Sequence, residues 1–78
     1  MLDQVRECMV SALQLEGAAA SGITEATTAV DLPRWTSVSH LALVLELEKT
    51  FNVQFGNDEI VSLGSVAAIL ERLRAKGV

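Results

Sequence analysis

The stretch DLPRWTSVSHLALVLELEKTF, residues Asp31–Phe51, decides the fold because its second part repeats apolar residues on two sides of one helix. Each residue turns an α-helix by about 100°, so the side chains divide into faces. One face carries His40, Leu43, Val44, Leu47 and Phe51. The opposite face carries Val38, Leu41, Ala42 and Leu45. A helix that is apolar all round is normally a central, buried helix.

The chain is too short to enclose both faces easily. It has 78 residues, which predicts a single domain, residues 1–78, and a domain of this size buries only about 60% of the surface of its unfolded chain. We therefore expect the face with Leu43 and Leu47 to pack in the core. The face with Val38 and Leu41 is expected to be at least partly exposed for a partner. The alternative is that a long loop covers the second face.

Three further helices are predicted around this one. The first covers Leu2–Glu16, where apolar residues recur at positions 5, 8, 9 and 12. A brief helix begins at Asn57, which suits the N-cap position, and a last helix is capped by Ser65. No strand pattern is evident. The sequence therefore predicts an all-α protein, a small four-helix bundle of three longer helices and a short third helix.

A long loop is predicted between the first and second helices. Residues Gly17–Thr36 contain two glycines and one proline and lack a sustained apolar period. A connection of about 20 residues without a regular element is unusual in a compact domain unless it is functional or held by its own apolar residues. The candidate anchors are Ile23, Val30, Leu32 and Trp35.

Composition argues against several classes of protein. The single cysteine, Cys8, excludes an internal disulfide, and no ligands cluster at the spacing of a metal site. One thiol without a secretion signal indicates a reducing compartment, so we expect a cytoplasmic protein. The formal charge of −4 argues against nucleic-acid binding. No apolar run approaches the roughly 20 residues of a membrane span.

Ser37 stands at the head of the central helix, beside Val38. A serine in this place is most often an N-cap, and either Thr36 or Ser37 suits that role. The alternative is a hydroxyl that is exposed for modification next to a docking surface. His40 lies one turn later, which makes a Ser–His pair conceivable. Because no third group orients the histidine and no oxyanion hole is evident, we do not expect an enzyme.

The segment DLPRWTSVSHLALVLELEKTFNVQF resembles the acyl carrier proteins. Their usual pattern is Asp-Leu-x-x-Asp-Ser-Leu, followed by an apolar and acidic helix that ends in Glu-x-x-Phe. Here Asp31 and Leu32 precede the serine, Ser37 falls on the serine that receives 4′-phosphopantetheine, and Phe51 lies fourteen residues later. The resemblance extends to the opening helix, the loop GITEATTAVDL, the short third helix and the closing SVAAILERL.

The resemblance implies a carrier rather than an enzyme. A holo-acyl-carrier-protein synthase would attach phosphopantetheine from coenzyme A to Ser37 as a phosphodiester, and acyl groups would then be carried as thioesters. Acyl-loading and acyl-transferring enzymes of fatty-acid, polyketide or another specialised acyl pathway would be the partners of this monomer. They would dock on Thr36, Val38, Leu41, Leu45, Glu48, Asp58 and Glu59.

The sequence departs from the family pattern at the serine and along the helix that follows. Thr36 replaces the usual aspartate, and Ala42 and Lys49 stand where carboxylates are frequent. We therefore expect docking that is more apolar than charged, and a specialised carrier that serves a dedicated pathway. Two alternatives stay open: a helical interaction module with the same fold that is not modified, and an oligomerisation domain that uses the Val38 face.

Overall fold

The computed structural model describes residues 1–78 and shows a small all-α fold without strands. Five α-helices and one 3₁₀ turn follow each other along the chain. The α-helices are α1 (Leu2–Leu13), α2 (Gly17–Ser21), α3 (Ser37–Phe51), α4 (Asn57–Val61) and α5 (Val66–Ala75), and the 3₁₀ turn is Ala29–Asp31. None of the helices combines the length and the apolar content needed to cross a membrane.

Helix α1 ends earlier than the sequence predicts. The predicted helix extends to Glu16, but the observed helix stops at Leu13 because Gln14 adopts the left-handed conformation, with φ 54°. A non-glycine residue rarely takes that conformation, so sequence alone gives little warning of it. The turn it makes brings Leu15 into the core.

The connection from α1 to α3 is more regular than predicted. The prediction of a loop over Gly17–Thr36 is wrong at two places, since this segment contains α2 and the 3₁₀ turn. Three consecutive alanines, residues 18–20, favour the short helix because alanine has the best intrinsic helix propensity. The count of four helices is therefore one helix short.

The connection is held to the domain at several points. Ile23 and Trp35 are buried, as predicted for anchors, whereas Val30 is 94% exposed, so its prediction as an anchor is wrong. The Arg6 Nε donates a hydrogen bond of 2.9 Å to the Ile23 carbonyl. An isolated antiparallel bridge also pairs Thr28 with Ser65, at the head of α5.

Local capping defines the start of α3 at the predicted residue. Thr36 is the N-cap: its Oγ1 accepts a hydrogen bond of 3.3 Å from the Ser39 backbone N–H. In return, the Ser39 Oγ accepts one of 2.8 Å from the Thr36 backbone N–H. This reciprocal arrangement satisfies two donors that the first turn would otherwise leave without partners. The helix ends at Phe51, where Asn52 takes the left-handed conformation.

Of the two C-terminal helices, the sequence predicts the N-cap of α5 correctly but not that of α4. The Ser65 Oγ accepts a hydrogen bond of 3.1 Å from the Ala68 backbone N–H, which confirms Ser65 as the cap of α5. Asn57 is the first residue of α4 and not its N-cap, which is Gly56. The Glu59 side chain reaches back to that cap and accepts a hydrogen bond of 2.9 Å from the Gly56 N–H.

One hydrophobic core joins the helices. Helix α1 packs against α3 and α5, and the Thr28–Ser65 bridge joins the connection to the head of α5. Helix α3 turns what we call its inner face, Leu43, Val44 and Leu47, into this core. The opposite side of α3 is therefore left to form surface next to Ser37.

Candidate functional site

Ser37 is the first residue of α3 and its side chain is exposed. Because Thr36 and Ser39 cap the helix, the Ser37 hydroxyl is not needed for that purpose. Backbone N–H groups and the helix dipole make the start of a 15-residue helix favourable for an anion. The position therefore suits a hydroxyl that carries a negatively charged group.

An apolar surface runs along α3 from this serine. Val38, Leu41 and Leu45, which we call the outer face, are 81%, 58% and 65% exposed. Val61 on α4 is 83% exposed and adds to the apolar surface near Leu41. The connection between α1 and α3 does not cover the outer face, so the alternative in which a loop hides it does not hold.

A shallow open groove, which we call the serine groove, lies next to Ser37 between α3 and α4. It is lined by Ala29, Trp35, Thr36, Ser37, His40, Leu41 and Val61. Its walls therefore come from the 3₁₀ turn, the residues before α3, the first turns of α3 and the end of α4. The hydroxyl groups of Thr36 and Ser37 lie there among mostly apolar side chains, and such a surface suits a ligand with a large apolar part.

The His40 side chain, which lines this groove, makes two hydrogen bonds that the sequence did not predict. The Trp35 Nε1–H donates a hydrogen bond of 2.8 Å to the His40 Nδ1. The His40 Nε2 lies 2.8 Å from the Ile60 carbonyl oxygen on α4. Since an indole nitrogen only donates, Nδ1 must accept, so Nε2 carries the proton and donates it to Ile60. We call Trp35, His40 and Ile60 the His40 bridge.

The same bridge removes the Ser–His pair considered above. A histidine that activates a serine needs a ring nitrogen free to accept the proton of the hydroxyl. Both nitrogens of His40 are occupied, by Trp35 and by Ile60. His40 is therefore arranged to hold α3, α4 and the preceding loop together.

The acidic residues predicted for partner docking lie in three different situations. Asp58 is exposed in the first turn of α4. The Glu48 Oε2 accepts a hydrogen bond of 2.9 Å from the Phe55 backbone N–H, which ties α3 to the loop after it. Glu59 pairs with Lys76 at 2.9 Å and lies 3.6 Å from the Arg72 Nε. Of the three, Asp58 has the side chain most available to a partner.

The pKa of Glu59 is lowered from its ordinary value by these contacts. The hydrogen bond from the Gly56 backbone N–H is the largest cause, and the hydrogen bond from Lys76 follows. Each contact favours the charged carboxylate over the neutral acid. Glu59 thus acts within the chain, fixing α4 to the end of α5.

Cys8 is a core residue on α1. It is buried, and burial raises the pKa of its thiol. Its Sγ lies 3.3 Å from the Thr50 Oγ1 on α3. A buried thiol with a raised pKa is a poor nucleophile, since the thiolate is the reactive form. No group of three or more His, Cys, Asp or Glu side chains is placed to hold a metal ion.

Comparisons with known proteins add no family to this description. No protein-family model matches the chain. No curated protein matches it either. What the chain does must be inferred from the arrangement of residues around Ser37.

Proposed function

We propose that the protein is an acyl carrier that holds its cargo on a 4′-phosphopantetheine group attached to Ser37. One observation supports this most strongly: Ser37 is exposed at the head of α3 while Thr36 and Ser39 do the capping. A serine at this position usually serves as the N-cap, and here other residues take that role. Its hydroxyl stands next to the exposed outer face, where partner enzymes can dock.

The residues around Ser37 fit the proposed group. A phosphodiester on its Oγ would place negative charge at the start of α3, where the helix dipole stabilises it. When bound, phosphopantetheine supplies a thiol on a flexible arm that carries acyl groups as thioesters. The chain itself anchors the group, leaves it open to solvent and presents a surface to the enzymes that act on it.

Partner enzymes would dock mainly through apolar contacts. Val38, Leu41 and Leu45 form a continuous exposed strip on α3, beginning beside the modified serine. The acidic contribution is small: Glu48 and Glu59 are engaged within the chain, which leaves Asp58 as the exposed carboxylate of α4. Thr36 stands where the family pattern has an aspartate. This balance supports a carrier with dedicated partners in a specialised acyl pathway.

The proposal extends to the architecture and the setting. Helices α1, α3 and α5 with the short α4 would form the four-helix bundle of a carrier domain, and α2 would be an additional turn in the connection. Partners would include a holo-acyl-carrier-protein synthase and the enzymes that load and transfer acyl groups. We propose a cytoplasmic monomer that is not itself an enzyme.

Intact mass spectrometry tests the attachment directly. After incubation with coenzyme A, Mg²⁺ and a permissive holo-synthase, the wild-type chain should gain the mass of one phosphopantetheine. Ser37→Ala should gain none, and Ser11→Ala, which removes an exposed hydroxyl on α1, should still be modified. A wild-type chain that stays unmodified with several such synthases would contradict the proposal.

A helical interaction module that is never modified is the second candidate, favoured by Thr36 in place of aspartate. It predicts a chain that stays unmodified and still binds a partner through the outer face, with binding lost in Leu41→Glu. A concentration-dependent dimer that Leu41→Glu disrupts would instead indicate an oligomerisation domain. Sedimentation of the wild-type chain distinguishes this third outcome.

A further inference from the structure

The His40 bridge closes the inner side of the serine groove. His40 lies one turn after Ser37, half-buried, with its ring between Trp35 and the Ile60 carbonyl. The two bonds connect three parts of the chain: the loop before α3, α3 itself and α4. A ligand that starts at Ser37 therefore meets the imidazole before it can pass between α3 and α4.

The residues behind this ring belong to the hydrophobic core. Trp35 is itself part of the buried core, and Ile60 packs against that core. Leu43 and Leu47 on α3 and Leu63 after α4 are essentially inaccessible to solvent. An alkyl chain could enter between α3 and α4 only if α4 moved, because a close-packed interior does not yield room by small adjustments.

Movement of α4 is opposed at both of its ends. Near its end, Ile60 is held by His40. At its start, Gly56 and Glu59 are joined by a hydrogen bond of 2.9 Å, and Glu59 is paired with Lys76 at the end of α5. Of these contacts, the bond to His40 is the one that lies at the serine groove, which His40 lines.

We propose that His40 is a positioning residue that acts as a latch and restricts the cargo to short acyl groups. Such groups would lie in the serine groove against Leu41 and Val61, outside the latch. A long alkyl chain would stay in solvent unless the bonds of His40 to Trp35 and Ile60 broke. This inference rests on the proposed function for its biological meaning, but the latch itself can be tested without phosphopantetheine.

The test attaches alkyl chains of different length at position 37. In Ser37→Cys, alkyl methanethiosulfonates form a mixed disulfide with the new thiol and release methanesulfinate. Cys8 is 3% exposed and its pKa is raised by burial, so it should not react, and intact mass verifies a single adduct. Butyl, octyl and dodecyl adducts are then compared by their Tm.

With His40 intact, the three adducts should have the same Tm within about 2 °C, because the longer chains gain no burial. In Ser37→Cys combined with His40→Ala, the Tm should rise with chain length, since burial of a single methylene is expected to raise it by about 3–6 °C. A purely structural role of His40 would lower the Tm of all three adducts equally.

Two further variants complete the test, one as a control and one as a second way to remove a bond of His40. Lys49→Ala, at an exposed position of α3 outside the outer face and the serine groove, should behave like the protein with His40 intact. Trp35→Phe removes the indole N–H and serves if His40→Ala does not fold. A Tm that rises with chain length while His40 is intact would contradict the role proposed for His40. So would the lack of any rise in both His40→Ala and Trp35→Phe.

The outcome is separable from that of the proposed function. Disulfide attachment of alkyl chains at position 37 needs neither coenzyme A nor a synthase, so the role proposed for His40 can be disproved while Ser37 is still modified by phosphopantetheine. Conversely, an unmodified Ser37 would contradict the carrier function and leave the alkyl measurement valid.

Discussion

Glu59 is the residue whose interpretation differs most between the sequence and the structure. In the sequence it is an acidic residue in the first turn of a short helix, where a role in partner docking is reasonable. In the structure its carboxylate accepts from the Gly56 N–H and pairs with Lys76 and Arg72. A partner that docks through Glu59 would have to compete with these cations.

We predict that Glu59 makes stability depend on acid pH. Because its pKa is lowered in the folded chain, its contribution is fully present above the unfolded value of about 4.5 and is lost as the pH falls through that value towards the folded one. The midpoint of urea unfolding of the wild type should therefore fall towards that of Glu59→Gln as the medium is acidified. Asp58→Asn, at the exposed neighbour, should track the wild type. A constant gap between wild type and Glu59→Gln would contradict this.

Cys8 should be silent towards thiol reagents in the folded protein. Burial and the raised pKa of its thiol both reduce the amount of reactive thiolate. We expect little labelling by a chromogenic disulfide reagent near pH 8 in buffer and complete labelling in urea. Rapid labelling without urea would show that α1 opens readily from α3, where Thr50 contacts the sulfur.

Helix α3 shows which parts of an element the sequence predicts. Its bounds, Ser37–Phe51, agree with the prediction because its start is decided by side chains within one turn, Thr36 and Ser39. The end of α1 and the N-cap residue of α4 do not agree, since they depend on a left-handed Gln14 and on Glu59 reaching back to Gly56. Local chemistry of this kind competes with the apolar period and is not visible in it.

Loss of the Thr36 cap should destabilise the whole domain by a modest amount. Replacing an N-cap hydroxyl by a methyl group costs typically about 1 kcal/mol, because one helix N–H loses its partner. We expect Thr36→Ala to lower the free energy of unfolding by about that amount in urea titrations. Thr36→Ser, which keeps the hydroxyl, should stay close to the wild type. Equal losses in both variants would show that the hydroxyl is not the stabilising group.

At the scale of the whole molecule, one short chain supports one core and leaves one helix face uncovered. The exposure of Val38, Leu41 and Leu45 was predictable because few residues were available to cover them. The His40 bridge was not predictable, since Trp35 and His40 meet Ile60 only through a contact 20 residues further along the chain. Ser37 became a candidate through its place in a sequence pattern, whereas its surroundings could be described only from the fold.

The two faces of α3 should differ sharply in their contribution to stability. Leu43 is fully buried and Leu45, two residues later, is 65% exposed. Leu43→Ala removes core contacts and should cost about 2–5 kcal/mol, whereas Leu45→Ala should change stability by about 0.5 kcal/mol or less. Urea unfolding of both variants measures the difference. Similar losses in the two would mean that the outer face is covered in solution.

This separation within one helix has a consequence for how the protein can change. Buried positions of the inner face stabilise the fold, whereas positions of the outer face contribute little to stability. Residues of the outer face can therefore be substituted with almost no effect on folding. For the proposed carrier, affinity for one partner enzyme could therefore be exchanged for affinity to another by a few substitutions on the solvent side of α3. Under that proposal, an effort to direct the protein to different enzymes would begin there and could leave the interior unchanged.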